Sequence, residues 1–301
     1  MHVMPWLLAI RPRTLPLALG SIAMGYALTQ AASPPMDVNT LTLALIVTTT
    51  LLLQILSNLA NDYGDGLSGV DNSERQGPQR MLASGTITQQ HFKQGLKITA
   101  ILTGICGLIL ILSAVNSWAD ALIFLVAGAF SVVAAVTYSV GKRPYGYIAL
   151  GDVSVFVFFG LLAVLGSAYL LGHPPALQDM LLAISAGCFA TGVLNINNMR
   201  DAASDSEAGK VTIANLLGQH YAVRYQFVLI GTGCISLEIF YWLASSKLWG
   251  IHQLLIIYFT LHSIRVAHCQ SASTYNQLLK MMVIGTFAIE MLFLLDLIWL
   301  K

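Results

Sequence analysis

Between Asn58 and Asp71 the chain reads N-L-A-N-D-Y-G-D-G-L-S-G-V-D, with three aspartates and two asparagines set among apolar residues. A second stretch, N-I-N-N-M-R-D-A-A-S-D from Asn195 to Asp205, repeats the theme. Five of the chain's 14 acidic residues lie in these two places. Carboxylates gathered in one cavity repel and raise one another's pKa values. A divalent cation relieves that repulsion, and magnesium characteristically takes a few carboxylates together with phosphate oxygens. The chemistry these residue types suit is metal-assisted handling of a polyanion, with a diphosphate the foremost candidate.

Helices must position them. Asn58, Asn61/Asp62 and Asp65 recur at i, i+3/i+4 and i+7 and so share one helical face. Asn197, Asp201 and Asp205 stand four residues apart and drift only about 40° per step. A glycine-rich turn at Gly64, Gly66 and Gly69 is expected to end the first helix, but a turn does not explain carboxylates aligned on its face. The polar segment from Asp71 to Lys97, with Arg75, Arg80 and Ser84-Gly85, has the length of a functional lid or binding loop. Lys142-Arg143 sits in a short aromatic loop, Y-S-V-G-K-R-P-Y-G-Y, either as membrane anchors or as phosphate ligands. Asp152 follows at the start of an apolar run, and an intramembrane acid is a functional candidate by default.

Those runs identify the solvent. Apolar residues make up 56% of the chain and charged residues only 10%, with a mean hydropathy of +0.72. This composition is that of an integral membrane protein. Continuous rather than alternating apolar runs specify helices and not a β-barrel. Nine spans fit the length rule, at 14–31, 41–60, 96–115, 119–138, 147–171, 179–197, 222–244, 249–265 and 279–300. On that reading 13 of the 15 Lys and Arg fall on one side, counting Arg265 and Lys280 as a connection. The N-terminus and both acidic stretches are then cytoplasmic, and the C-terminus is outside. The N-terminal segment shows no cleavable signal pattern, and Arg11-Pro12-Arg13-Thr14-Leu15-Pro16 reads as a helix entry with two basic anchors. The four cysteines (Cys106, Cys188, Cys234 and Cys269) have no paired spacing and read as buried thiols. A net charge of +1 gives no sign of nucleic-acid binding.

The two acidic stretches follow spans two and six, each an Asn-xxx-Asp step with a cationic loop and a glycine after it (Gly85, Gly218). Four spans restore the chain direction, so a same-topology repeat is expected. The fold reading is an all-α polytopic membrane protein: nine helices in two pseudo-repeated halves, around a central cavity open to the cytoplasm. Residues 1–301 form a single membrane-embedded domain. Loss of a diphosphate from an allylic lipid leaves a carbocation, which aromatic faces stabilise; Tyr63, Tyr138, Tyr145 and Tyr147 are placed to do so. Glu238, Glu290 and Asp296 look isolated, and His252, His262 and His268 lack metal-ligand spacing.

The chain resembles the UbiA-type intramembrane prenyltransferases. The resemblance rests on N-D-Y-G-D at 61–65 with Asp71, R-M-L-A-S-G at 80–85, Y-S-V-G-K-R-P at 138–144, and N-N-M-R-D-A-A-S-D at 197–205 followed by K-V-T-I-A-N-L-L-G. N-D-Y-G-D-G and G-K-R-P-Y-G-Y-I-A-L-G-D are similar to the branch that prenylates 1,4-dihydroxy-2-naphthoate in menaquinone synthesis. That resemblance implies nine helices, two Asp-rich magnesium sites, a polyprenyl diphosphate donor, and C-prenylation of the naphthoate with loss of carbon dioxide. It also implies a place among the lipids of the bacterial cytoplasmic (inner) membrane. Asp62, Asp65, Asp201 and Asp205 are then the expected Mg2+ ligands, with Asn58, Asn61 and Asn197 as oxygen donors and Asp71 a further candidate. Asn197 departs from the aspartate that many relatives carry. Lys142, Arg143, Arg80 and Asn58 are expected on the diphosphate, and Asp65 or Asp152 on the acceptor. The alternatives are 4-hydroxybenzoate or another ring as acceptor, and a non-enzymatic cation carrier. Acid clusters gathered on one side of the bilayer argue against the carrier.

Overall fold

A computed structural model describes residues 3–69, 77, 80–269 and 271–299. Asp71 and Arg75 lie outside the described residues. The helices are α1 (Val3–Ile10), α2 (Leu15–Ala31), α3 (Thr40–Ser68), α4 (Gln89–Ala114) and α5 (Trp118–Thr137), then α6 (Gly151–Leu170), α7 (Asp179–Glu207), α8 (Ile213–Ser245), α9 (Leu254–Ala267) and α10 (Ala272–Trp299). Among the described residues no strand forms, only an isolated parallel bridge between Ile148 and Val211. Seven of these helices, α3 to α8 and α10, are long and apolar enough to cross a bilayer. The expected first and eighth spans fall on α2 and α9, which are shorter, at 17 and 14 residues.

Local sequence sets the helix limits. Asn39 starts α3 by accepting from Leu41 N at 2.9 Å and Thr42 N at 3.2 Å. Thr212 and Asn215 start α8 with a reciprocal capping box, the Thr212 amide donating to Asn215 Oδ1 at 2.7 Å and the Asn215 amide to Thr212 Oγ1 at 3.2 Å. At 29 residues each, α3 and α7 are about 44 Å long, against an apolar layer of about 30 Å. Their acidic last turns therefore reach the membrane–water boundary. Contrary to the expected glycine stop, Gly64 and Gly66 lie within α3, and Gly69 at φ 78° ends it. Gly64 serves a close approach instead: a Cβ there would lie 2.2 Å from the Ser139 carbonyl oxygen.

Helix α7 forms the centre. In its apolar stretch 78% is buried within the protein, against 11% for α4 and α5, whose leucines and isoleucines are largely exposed. Its run A-I-S-A-G-C-F-A-T-G-V supplies the small side chains that let helices approach closely without a hydrophobic drive between them. At Gly160, inside a π-helical stretch of α6 (Phe156–Leu165), a Cβ would meet the Ala183 carbonyl oxygen at 2.5 Å. Around this crossing α2, α6, α7, α8, α9 and α10 share one apolar core. A smaller core of Ala9, Leu59, Tyr63, Met81 and Phe92 fixes α1 and the 80–88 loop against the end of α3.

Two further expectations change. Lys280 belongs to α10, which begins at Ala272, and not to a connection. Glu238, His252 and Asp296, distant in sequence, meet where α8 and α10 end: His252 Nδ1 lies 2.6 Å from Asp296 Oδ2 and its Nε2 2.9 Å from Glu238 Oε1. Glu290 alone among the three acids is buried without a hydrogen bond to its Oε2.

Valine at Gly64 must displace the Ser139 backbone, so Gly64→Val should cost about 1–3 kcal/mol. Its thermal unfolding in detergent should fall below that of Gly104→Ala, whose Cβ meets nothing within 4 Å. Equal transitions for the two variants would rule out the close approach.

Candidate active site

The last turns of α3 present Asn58, Asn61, Asp62 and Asp65 along one face, and each is already engaged. Asn58 Nδ2 donates to the Ile10 carbonyl oxygen at 2.8 Å and to Thr14 Oγ1 at 2.9 Å. Asn61 Oδ1 accepts from Ser139 Oγ at 2.8 Å. Asp62 gathers the next loop, accepting from Met81 N at 3.1 Å and Leu82 N at 3.2 Å. That anchoring brings Arg80 to Asp65 Oδ2 at 3.0 Å, while Tyr147 Oη donates to Asp65 Oδ1 at 2.7 Å.

On α7 the organising group is Arg200. Its Nε and Nη2 grip Asp201 at 2.8 and 2.5 Å, Nη2 also reaches Asn197 Oδ1 at 2.9 Å, and Nη1 reaches Asn276 Oδ1 on α10 at 2.8 Å. One turn on, Lys210 Nζ lies 3.2 Å from Asp205 Oδ2 and donates to Oδ1 at 3.3 Å.

The two motifs meet through their loops. Val211 N donates to the Tyr147 carbonyl oxygen at 3.0 Å and Ala149 N to the Val211 carbonyl oxygen at 2.9 Å. This clasp sets the Lys210 ammonium 5.7 Å over the Tyr147 ring, whose hydroxyl already holds Asp65. Burial pulls Lys210 toward neutrality, but Asp65, Asp205 and Asp201 outweigh it and hold its pKa above the ordinary lysine value. Acids some 140 residues apart in sequence thus act on one cation.

Beside this pole lies a cavity of about 710 Å3. Asn58, Asn61, Asp62, Arg80, Asn197 and Arg200 line its polar end, and Ile46, Leu110, Phe124 and Leu162 are among the residues of its apolar remainder. Tyr138 and Tyr145 belong to the wall, and Tyr145 is fixed by hydrogen bonds to the Ala134 carbonyl oxygen at 2.9 Å and Ser154 Oγ at 3.1 Å. Tyr63 does not line the cavity; it packs on Phe92 with ring centroids 6.2 Å apart. Asp65, Asp201 and Asp205 sit behind the wall in their ion pairs. Asp152 is buried outside the wall, with no hydrogen bond to its Oδ1. Lys142 and Arg143 are exposed in the α5–α6 loop and also lie outside the lining.

Sequence reasoning missed Arg200, Asn276 and Lys210 as members of the site. The Asn197–Arg200 spacing of three was a visible signal for the first; nothing local marked Asn276. For a metal the donor chemistry is suitable: carboxylate and amide oxygens, the hard ligands that magnesium takes. Among the described residues no three acidic, histidine or cysteine side chains converge as a ready-made metal cluster. A metal there would share carboxylates that Arg80, Arg200 and Lys210 now neutralise, and Asp205 Oδ2 makes no hydrogen bond of its own.

The model of the UbiA prenyltransferase family matches residues 18–284. The chain is 47% identical over 247 residues to the 1,4-dihydroxy-2-naphthoate octaprenyltransferase of Escherichia coli (strain K12), covering 81% of this chain and 79% of that protein. It is 40% identical over 295 residues to the protein of that name from Haemophilus influenzae, covering 97% and 95%. Among solved structures it is similar to a UbiA homolog from Archaeoglobus fulgidus bound to GPP and Mg2+. There the TM-score is 0.64 at 15% identity, with 95% of this chain and 99% of that one covered.

Arg200 is buried between Asp201 and two amides, so Arg200→Leu should strand a carboxylate and cost about 3–5 kcal/mol. Adding Asp201→Leu should recover much of that loss in detergent thermal denaturation. Strictly additive losses would show that the two side chains are not coupled.

Proposed function

The chain belongs to the UbiA prenyltransferase family and is a membrane prenyltransferase, and from that premise we propose that it moves a polyprenyl group from polyprenyl diphosphate to 1,4-dihydroxy-2-naphthoate. The product is demethylmenaquinol, a step of menaquinone synthesis, with carbon dioxide and diphosphate released. The names of the Escherichia coli and Haemophilus influenzae relatives support the acceptor. The observation that carries the reading is the polar pole shared by Asp65, Asp201, Asp205 and Lys210 beside an apolar cavity. Such a cavity suits a substrate with a polyanionic head and a hydrocarbon tail.

In this reading the residues divide the work. Magnesium would be held by Asp62, Asp65, Asp201 and Asp205, with Asn58, Asn61, Asn197 and Asp71 as further oxygen donors, and would neutralise the charge of the departing diphosphate. Arg80 faces Asp65 from within the cavity wall and engages the diphosphate directly, with Asn58 beside it. Lys142 and Arg143 approach the same group from the loop that carries Tyr147. As the allylic C–O bond breaks, Tyr138 and Tyr145 offer ring faces to the carbocation. The ring carbon bearing the carboxylate attacks it, and departure of neutral carbon dioxide restores aromaticity. No ring proton has to be removed, so the part left to Asp65 or Asp152 is to orient the acceptor. With 4-hydroxybenzoate the carboxylate would stay and a ring proton would need a base.

The same reading places α2 and α9 with the seven long helices as nine spans, arranged as two repeated halves of one domain over residues 1–301. Its cavity opens to the cytoplasm from a bacterial inner membrane, with the C-terminus on the far side. The paired lengths of α3 and α7 support the repeat.

Purified protein, magnesium and a polyprenyl diphosphate should release labelled carbon dioxide from carboxyl-labelled naphthoate. Asp65→Asn and Asp201→Asn should each lower kcat about hundredfold or more. Near-normal turnover in both variants would remove the assignment. Product from 4-hydroxybenzoate alone would replace the acceptor.

A further inference from the structure

The segment Arg11-Pro12-Arg13-Thr14-Leu15-Pro16 is more than an anchor for α2. Arg11 adopts a left-handed backbone conformation at φ 54° and ψ 68°, unusual for a residue with a side chain. The turn is closed by Thr14 N and Oγ1, each donating to the Arg11 carbonyl oxygen at 3.0 Å. It is then clamped to α3: Asn58 holds the Ile10 carbonyl oxygen and Thr14 Oγ1, and Gln54 Nε2 reaches Thr14 Oγ1 at 3.3 Å. The motif face of α3 thus fixes an elbow whose Arg13 lines the cavity.

The elbow packs against α10, and α10 contributes Lys280 to the same cavity wall. Lys280 stands one turn beyond Asn276, which Arg200 holds at 2.8 Å. Of the other cations beside the motifs, Arg80 pairs with Asp65, Arg200 with Asp201 and Lys210 with Asp205; Arg11 lines the cavity as well. Among the described residues Arg13 and Lys280 make neither an ion pair nor a hydrogen bond. A lysine within a membrane-spanning helix is costly unless it faces water or an anion.

We propose that Arg13 and Lys280 form an anion subsite that docks the carboxylate of the aromatic acceptor, separate from the acid-rich pole that takes the diphosphate. The inference rests on the acceptor being an aromatic acid. Its chemistry is a guanidinium and an ammonium that line one cavity, neither neutralised by an acid of the protein, and each is a donor that a carboxylate can accept from. Because the carboxylate leaves as neutral carbon dioxide, this ion pairing is strongest before reaction and fades in the transition state. It stabilises bound acceptor more than it lowers the barrier.

Steady-state kinetics of Arg13→Gln and Lys280→Gln, beside the unsubstituted protein, separate the possibilities. In each variant the KM for 1,4-dihydroxy-2-naphthoate should rise about tenfold, with kcat and the KM for polyprenyl diphosphate within about twofold. Arg13→Lys and Lys280→Arg should recover most of the affinity. Inhibition by 1-hydroxy-2-naphthoate should weaken in parallel, while inhibition by 1,4-dihydroxynaphthalene, which has no carboxylate, should not change. A rise in the diphosphate KM instead would assign the pair to the leaving group, and unchanged constants throughout would return both residues to anchoring; either result overturns the subsite. Failure of the unsubstituted protein to use the naphthoate would strike the acceptor reading itself and is seen separately.

Discussion

Carboxylates at the edge of a hydrocarbon layer must be answered by positive charge, and that requirement organises this molecule. Asp65 is held by Arg80 and Tyr147, Asp201 by Arg200, and Asp205 by Lys210. Lys210 lies over the ring whose hydroxyl binds Asp65, so the compensation is shared between motifs. The backbone clasp between 147–149 and Val211 makes the sharing permanent in the fold. Without it, two helices more than a hundred residues apart in sequence would each keep its own ion pairs but share no cation. With it, they form one pole that a polyanion and a divalent cation can enter by exchanging partners.

The apolar part of the cavity follows from the same helices. Having ends that answer to one another, α3 and α7 must run side by side or leave space between them. Ala183 and Gly187 of α7 are turned to α6, where Gly160 approaches them without a Cβ between. Tight packing on that side leaves room on the other, where α4 and α5 shield the cavity from lipid. At the far ends of α8 and α10, Glu238, His252 and Asp296 fasten the helices again. Charge thus fastens α3 and α7 at the acidic end, and α8 and α10 at the other.

The spacing of Asn58, Asp62 and Asp65 placed them on one helical face, and α3 does carry them there, because 3.6-residue periodicity is a local property of the chain. The membrane class and the long spans were legible for the same reason: a bilayer reads composition. What was not legible is pairing across the fold. Arg80 was expected on the diphosphate with Lys142 and Arg143, but the sequence did not show its pairing with Asp65, set by backbone bonds from Met81 and Leu82 to Asp62. Tyr63 shares a helix with the motif but faces away from the cavity, since it is one residue past Asp62 and thus about 100° round. Glu238 and Asp296 read as isolated because their common partner, His252, lies in the connection between α8 and α9, far from Asp296 in sequence.

Arginines at the start of a membrane span are ordinarily explained by the charge asymmetry of the bilayer, and nothing in R-P-R-T-L-P contradicts that. Charge asymmetry, however, asks only for a cation near the surface; it does not ask for a left-handed arginine, two amide clamps from α3, or a seat in a cavity wall. Those are requirements of a precise position. The amide that supplies the main clamp, Asn58, belongs to the first acidic motif, so a change in that motif moves the elbow too. Donor pole and elbow are therefore set by the same turn of helix, which fixes the distance between an anion held at one and an anion held at the other.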